Sequence, residues 1–187
     1  MIDHTNNALL FLVDTVLSLY IIVVLLRVIL QLVHADFRNP ISQFVWQTTR
    51  TPVNLLRSVI PRWRNWDVPA LVFGLILSYI LIQIDLALGA PGFGPQLLPS
   101  VAWAILKMAT LVCNLYFFTI LIQALMSWIS PNQFSPATAI LFTINEPLLR
   151  PVRGVIPAIG GLDLSPLVVI IALEVVSRLL PLPGLFR

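Results

Sequence analysis

Apolar residues along this chain gather into four long runs separated by polar, proline-containing stretches. The first covers Ala8 to Val33, and its strongly polar members are Asp14 near the start and Arg27 and Gln31 near the end. The second runs from Val68 to Leu88 and stops before a turn cluster of Pro91, Gly92, Gly94 and Pro95. The third extends from Leu97 to Ile129 and ends at Ser130-Pro131, and the fourth and shortest runs from Leu164 to Leu180 before Pro181 and Pro183. A helix rises about 1.5 Å per residue, so ~20 apolar residues cross a bilayer core. The pattern predicts an all-α membrane protein with four transmembrane helices, near 8–33, 68–88, 97–129 and 164–180. No Lys or Arg precedes the first run, which is longer than a signal-peptide core of roughly 7 to 15 residues, so it reads as a retained helix.

Two long connections, 34–67 and 130–163, alternate with a short uncharged link between the second and third runs. Inside each long connection the polar pattern turns helical. Val53, Leu56 and Ile60 fall on one face of a helix and Asn54, Arg57 and Ser58 on the other. The counterpart, Leu148 to Ile156, is interrupted by Pro151 but keeps Arg150 and Arg153 three residues apart. Short amphipathic segments of this kind suit a membrane surface, with arginines among the headgroups. Trp46, Trp63 and Trp66 beside the first one suit the same interface.

The chain also repeats itself. Shifted by 96 residues it aligns Tyr20 with Tyr116, Leu25 with Leu121, Pro40 with Pro136, Arg57 with Arg153, Val59-Ile60-Pro61 with Val155-Ile156-Pro157 and Asp67 with Asp163. Between Thr51 and Val72 seven of 22 positions are identical, where apolar bias alone gives roughly two. The expected architecture is two tandem helix-loop-helix repeats, 1–95 and 96–187, each with a short membrane-surface segment in its loop. An even number of spans per repeat gives both the same orientation, related by an axis near the membrane normal.

Composition sharpens this picture. Of 187 residues, 58% are hydrophobic and only 10% charged, against roughly 25% charged in soluble domains. That excludes a soluble enzyme, a disordered tail and a disulfide scaffold, and the single Cys113 has no partner within the chain. The net charge is only +3 and the basic residues are not on a soluble face, which argues against nucleic acid. Seven of the 11 basic residues lie in the two long connections: Arg38, Arg50, Arg57, Arg62, Arg64, Arg150 and Arg153. The positive-inside rule then puts both connections in the cytoplasm and both termini in the periplasm.

The second connection reads Glu146-Pro147-Leu148-Leu149-Arg150-Pro151-Val152-Arg153-Gly154-Val155-Ile156-Pro157-Ala158-Ile159-Gly160-Gly161-Leu162-Asp163-Leu164-Ser165-Pro166. It resembles the signature loop of the YggT (also YlmG) family of small membrane proteins. Arg27, Gln31 and Asn39-Pro40-Ile41-Ser42-Gln43-Phe44 resemble the same family. The resemblance covers nearly the whole chain, in the two-unit form of Gram-negative bacteria. It implies an integral inner-membrane protein without an established enzymatic activity. Bacterial members are linked to osmotic tolerance, and relatives to division or nucleoid organisation. Plastid relatives assist covalent haem attachment to a cytochrome b subunit. Direct haem chemistry fits poorly here, because His4 and His34 are the only histidines and flank the first run. The first copy departs from the pattern, with Pro52 displaced by one position, Leu55 where Pro151 stands and Arg62 to Trp66 replacing Ala-Ile-Gly-Gly-Leu. The second loop is therefore the one expected to carry a specific interaction.

Several intramembrane polar residues have two readings. Arg27 and Gln31 are aligned with Gln123 and Ser127, with Thr119 a turn earlier; they form a polar seam inside the bundle, or Arg27 snorkels to the headgroups. Glu174, deep in the fourth run, pairs with Arg178 one turn on, or serves a proton or ion relay. Lys107 and Asp85 are expected to pair near the outer leaflet. Ala70, Gly74 and Ser78 have the small-residue spacing of close helix packing, within the chain or between copies. Gly160-Gly161 reads as a tight turn, since no phosphate-loop pattern accompanies it, with Ser165 as N-cap and Pro166 at the first helical position. Neither loop holds a nucleophile with a base, a metal spacing or a carboxylate dyad.

The expectation is a non-enzymatic membrane-complex assembly or organising factor that needs no cofactor. Its loops would bind anionic lipid headgroups and a membrane-protein partner or second copy through Arg57, Arg150, Arg153 and Asp163. Pro40, Pro61, Pro147, Pro151, Pro157, Gly160, Gly161 and Pro166 would shape the backbone. The alternative is an oligomeric ion or osmolyte transport component using Arg27 and Gln123 or Glu174; four short spans are few for a monomeric transporter.

Overall fold

Straight-chain and branched apolar residues, with proline confined to the first turn, let the long runs propagate as helices, and further prolines set their limits. The structure, a computed structural model, describes residues 2–61, 63, 65–89, 96–129, 135–156 and 163–186. Pro157, Gly160, Gly161 and the Pro91 to Pro95 cluster lie outside the described residues. The helices are α1 (Ile2–Leu32), α2 (Pro40–Arg57), α3 (Val68–Gly89), α4 (Leu97–Ile129), α5 (Pro136–Arg153) and α6 (Ser165–Leu179), followed by a 3₁₀ turn at Gly184–Phe186. Three of them are long and apolar enough to cross a membrane, over Ala8–Leu32, Val68–Leu88 and Leu97–Ser127. The fourth expected span is shorter than 164–180. Its 15 helical residues cover about 22 Å against a hydrocarbon core of about 30 Å. The reason is Pro181, which drives the preceding Leu180 to an extended ψ of 125°.

The connections are more helical than their prolines imply. Both α2 and α5 run for 18 residues, start on a proline and end on an arginine, at positions 96 residues apart. Proline at the first helical position has no N–H to waste. Asn39 caps α2 by accepting from the Ile41 N–H, and Ser135 caps α5 in a reciprocal box with Thr138. Pro52 sits inside α2 and cannot donate to the Thr48 carbonyl. Tyr20 Oη of α1 lies 3.4 Å from that carbonyl and donates to it instead. Pro147 and Pro151 inside α5 are both exposed.

Packing joins first to last helix in each half, α1 with α3 and α4 with α6, while α4 also lies against α3 and α1. α2 rests on α1 and α3, and α5 on α4 and α6. The small-residue stripe of α3 packs inside the chain: a Cβ on Gly74 would lie 3.4 Å from Met108 Cε and 3.7 Å from Val24 Cγ1. Several buried clusters cross the halves: one unites Ile29, Leu30 and Val45 with Leu115, Ile140 and Ile144, and another Ile21, Leu25 and Leu81 with Leu111. At the same end of the bundle Asn39 Nδ2 donates to the Pro136 carbonyl at 2.7 Å, bonding the start of α2 to the start of α5.

Candidate functional site: two related ion-pair clusters

Arg27 heads the largest fully buried side chains among the described residues, with 1% of its surface exposed. It does not snorkel. A guanidinium taken out of water demands partners, and three elements supply them. Arg27 Nε donates to Asp67 Oδ2 at 2.9 Å, and Nη1 donates to Thr49 Oγ1 at 2.9 Å. Thr49 Oγ1 in turn donates to the Val45 carbonyl at 2.7 Å, so the hydroxyl is used in both directions. Arg57, at the end of α2, donates Nη2 to the same Asp67 Oδ2 at 2.9 Å. The Arg27 and Arg57 guanidinium carbons lie 4.0 and 5.2 Å from the Trp46 ring centroid, a cation–π contact worth most when desolvated. The Asp67 carbonyl accepts from Ala70 and Leu71, so the carboxylate stands at the N-terminus of α3, where the helix dipole favours an anion. One carboxylate thereby holds α1, α2 and α3 together.

The second half builds a related but looser cluster. Arg153 Nε donates to Asp163 Oδ2 at 2.8 Å, matching Arg57 and Asp67. Gln123 replaces Arg27 and Asn145 replaces Thr49; the two still bond, Asn145 Nδ2 to Gln123 Oε1 at 2.8 Å, with Thr119 Oγ1 donating to Asn145 Oδ1 at 2.8 Å. A neutral amide carries no charge for Asp163 to neutralise. Arg153 instead finds a second carboxylate, Glu146 Oε2, at 2.8 Å. The side chains of Arg153, Glu146 and Asp163 keep 33%, 47% and 36% of their surface exposed, whereas Arg57 keeps 22% and Asp67 none. Burial pulls the Asp163 carboxyl upward, but hydrogen bonds from Arg153 and Ser165 and the Arg153 charge outweigh it and hold the carboxyl below its ordinary value.

Other residues singled out from the sequence are placed as follows. Asp163 Oδ1, not the Ser165 hydroxyl, caps α6, accepting from the Ser165 N–H at 2.9 Å; Ser165 is already the first helical residue and Pro166 follows it, buried. Arg150 is exposed on α5. Gln31 Nε2 donates to the Asn65 carbonyl at 3.2 Å. Glu174 and Arg178 form an i,i+4 pair at 2.7 Å. Lys107 pairs with Asp14 of α1 at 3.0 Å rather than with Asp85. Pro61 is exposed just after α2. Trp46, Thr49, Asn145 and Glu146 were not singled out from the sequence as members of these clusters. The Asp67 and Asp163 identity across the repeat was the available signal, yet only Asp163 was singled out. Among the described residues no group of three or more His, Cys, Asp or Glu side chains could hold a metal ion.

Comparisons with known proteins agree with this internal symmetry. The family model described as CCB3/YggT matches twice, at residues 6–87 and 102–183. An uncharacterised protein of Pseudomonas aeruginosa is 37% identical over 93% of this chain and 88% of its own length. The YggT protein of Escherichia coli strain K12, also uncharacterised, is 38% identical over 91% of this chain and 88% of its own. The ycf19 protein of Galdieria sulphuraria is 32% identical over 41% of this chain and 79% of its own length, a relative the size of one half. No solved structure matches the chain.

Proposed function

Because this chain belongs to the CCB3/YggT family, we propose that it is a non-enzymatic inner-membrane protein that organises or helps assemble a membrane complex. In this reading α1, α3, α4 and α6 all span, as two tandem units in the same orientation, with α6 crossing a locally thinned bilayer. The basic connections face the cytoplasm and both termini the periplasm. α2 and α5 lie at the inner leaflet.

The observation that carries the proposal is the contrast in exposure between the clusters. The sealed Arg27, Asp67 and Arg57 cluster supports a structural anchor. The half-open Arg153, Asp163 and Glu146 cluster, beside the exposed Arg150, supports a contact surface held in place by a rigid helix. Arginines so placed suit anionic headgroups and an acidic patch on a partner. The exposed apolar tips Val59 and Val155, 80% and 81% exposed and 96 residues apart, suit the headgroup boundary beside them. A transport role draws no support from Glu174, whose carboxylate is engaged by Arg178.

The test is purification of the full chain from native membranes in mild detergent, with bound protein and lipid identified by mass spectrometry. Arg150→Glu should abolish recovery of a partner while the protein keeps its unfolding midpoint. Unchanged recovery with that variant, or ion flux in liposomes of purified protein that vanishes with Glu174→Gln, would overturn the reading.

A further inference from the structure

A cleft of about 530 Å³ opens beside the first cluster, where α1 ends. α1 closes in a Schellman turn, with the Ala35 N–H donating to the Leu30 carbonyl at 2.9 Å and the His34 N–H to the Gln31 carbonyl at 3.2 Å. That turn puts residue 34 in the left-handed region, φ 53°, a place that glycine fills at no steric cost. Histidine, one of the non-glycine residues enriched in that region, fills it here. The imidazole Nε2 is 3.1 Å from Asn65 Nδ2. With the Asn65 amide as donor, Nε2 accepts and the ring proton is assigned to Nδ1. Gln31 donates to the Asn65 carbonyl, so these three side chains form one braced part of the lining. α2 contributes Gln43, Gln47 and Trp46, and Phe37 packs edge-on against Trp46 with ring centroids 5.9 Å apart and planes at 77°.

The repeat serves as an internal control. Arg27 and Thr49 become Gln123 and Asn145 after 96 positions, but Arg57, Pro61 and Asp67 of the same unit recur. The cleft lining does not: Ala139 stands against Gln43, Phe142 against Trp46, Thr143 against Gln47 and Gly161 against Asn65. This lining is thus not a requirement of the helix-loop-helix unit.

Its chemistry narrows the occupant. The described lining holds no charged side chain, and the nearby Arg27 charge is already engaged by Asp67. A single imidazole among these residues is no metal site. A bare acyl chain would offer no hydrogen-bond partner to the four carboxamides, three of which already donate elsewhere, Gln31 to the Asn65 carbonyl, Gln43 to the Arg38 carbonyl and Asn65 to His34. Each carboxamide offers a donor and an acceptor, the pairing that a hydroxyl reciprocates. The amides reach the cleft from α1, α2 and the α2–α3 connection, spread around it, while the edge-on aromatic pair offers no parallel slot for a planar base. We propose that this cleft binds a neutral polyhydroxyl ring, a sugar or cyclic polyol, presented free in water or as the headgroup of a glycosylated lipid.

The inference stands apart from the partner-binding role of the second half. Its test uses the full chain in a sugar-free amine-oxide detergent titrated with maltose, and in nanodiscs with and without monoglucosyldiacylglycerol. Saturable binding of maltose identifies a free source; binding confined to glucolipid nanodiscs identifies a headgroup, and either supports the site. The Gln43→Leu/Gln47→Leu double variant changes two exposed positions and should weaken binding about tenfold or more. His34→Gly should weaken it comparably while the thermal midpoint holds or rises, because glycine relieves the left-handed strain. A merely structural His34 would not separate those two readouts. No saturable binding by either probe, unchanged binding in the variants, or displacement of maltose by adenosine at lower concentration would overturn the proposal.

Discussion

The two halves place a loop helix of the same length against the same kind of helix pair, and each closes it with an arginine and an aspartate ten residues apart. What differs is the residue delivered by the first helix of each half. Arg27 brings a buried charge that Asp67 must answer, and Trp46 covers the pair. Gln123 brings none, and the vacated interaction is replaced by Glu146 from the loop helix itself. Burying a charge commits a site to structure, since any opening leaves the charge unpaired in a low dielectric. The cluster that omits the buried charge keeps its ionic groups within reach of something else.

Substitutions can break this comparison, beginning with the largest effect. Arg27→Leu removes the buried cation and leaves Asp67 leaning on Arg57 alone; a loss of about 3–5 kcal/mol is expected in denaturant unfolding of the reconstituted protein. The equivalent Gln123→Leu strands only Asn145 Nδ2 and should cost about 1–3 kcal/mol. Next come the caps. Asn39→Ala loses both the cap of α2 and the bond to the Pro136 carbonyl, for about 2 kcal/mol, while Ser135→Ala loses a cap alone, for about 1 kcal/mol. Smallest is Tyr20→Phe, expected to cost less than about 1 kcal/mol, since its bond to the Thr48 carbonyl is long; hydrogen exchange should quicken in the second half of α2 and not in α5.

Acid should separate the halves as well. The Asp163 carboxyl sits below its ordinary value in the folded protein, so its contribution is present above the unfolded carboxylate range, near 4, and is lost as pH falls through the folded value. Solvent reaches this pair, which keeps the effect modest. Amide exchange at Ser165 should rise as pH is lowered below about 4 after correction for intrinsic rates, and Asp163→Asn should remove the pH dependence.

The helical runs were legible because hydropathy is a one-dimensional signal, and the register of α2 and α5 was legible because the repeat aligns Pro40 with Pro136 and Arg57 with Arg153. The lengths of α2 and α5 were not. Proline reads as a break, and only a hydroxyl from another helix, Tyr20, shows how Pro52 is tolerated. Partners across helices were equally hidden: Lys107 meets Asp14, 93 residues away, although Asp85 is nearer in sequence. The cap of α6 shifted from Ser165 to Asp163 because a carboxylate already oriented by Arg153 can also accept the Ser165 N–H. Arg27 with Gln31 suggested a polar strip on one face, but Arg27 turns to Asp67 and Gln31 to Asn65.

The central claim is that the first cluster is a sealed anchor and the second an open contact, and equivalent substitutions at their shared aspartate test it most directly. Asp67→Asn and Asp163→Asn, unfolded side by side from the same lipid, should differ sharply: a loss of about 3–5 kcal/mol for the first and about 1 kcal/mol or less for the second. Equal losses at the two positions would contradict the account.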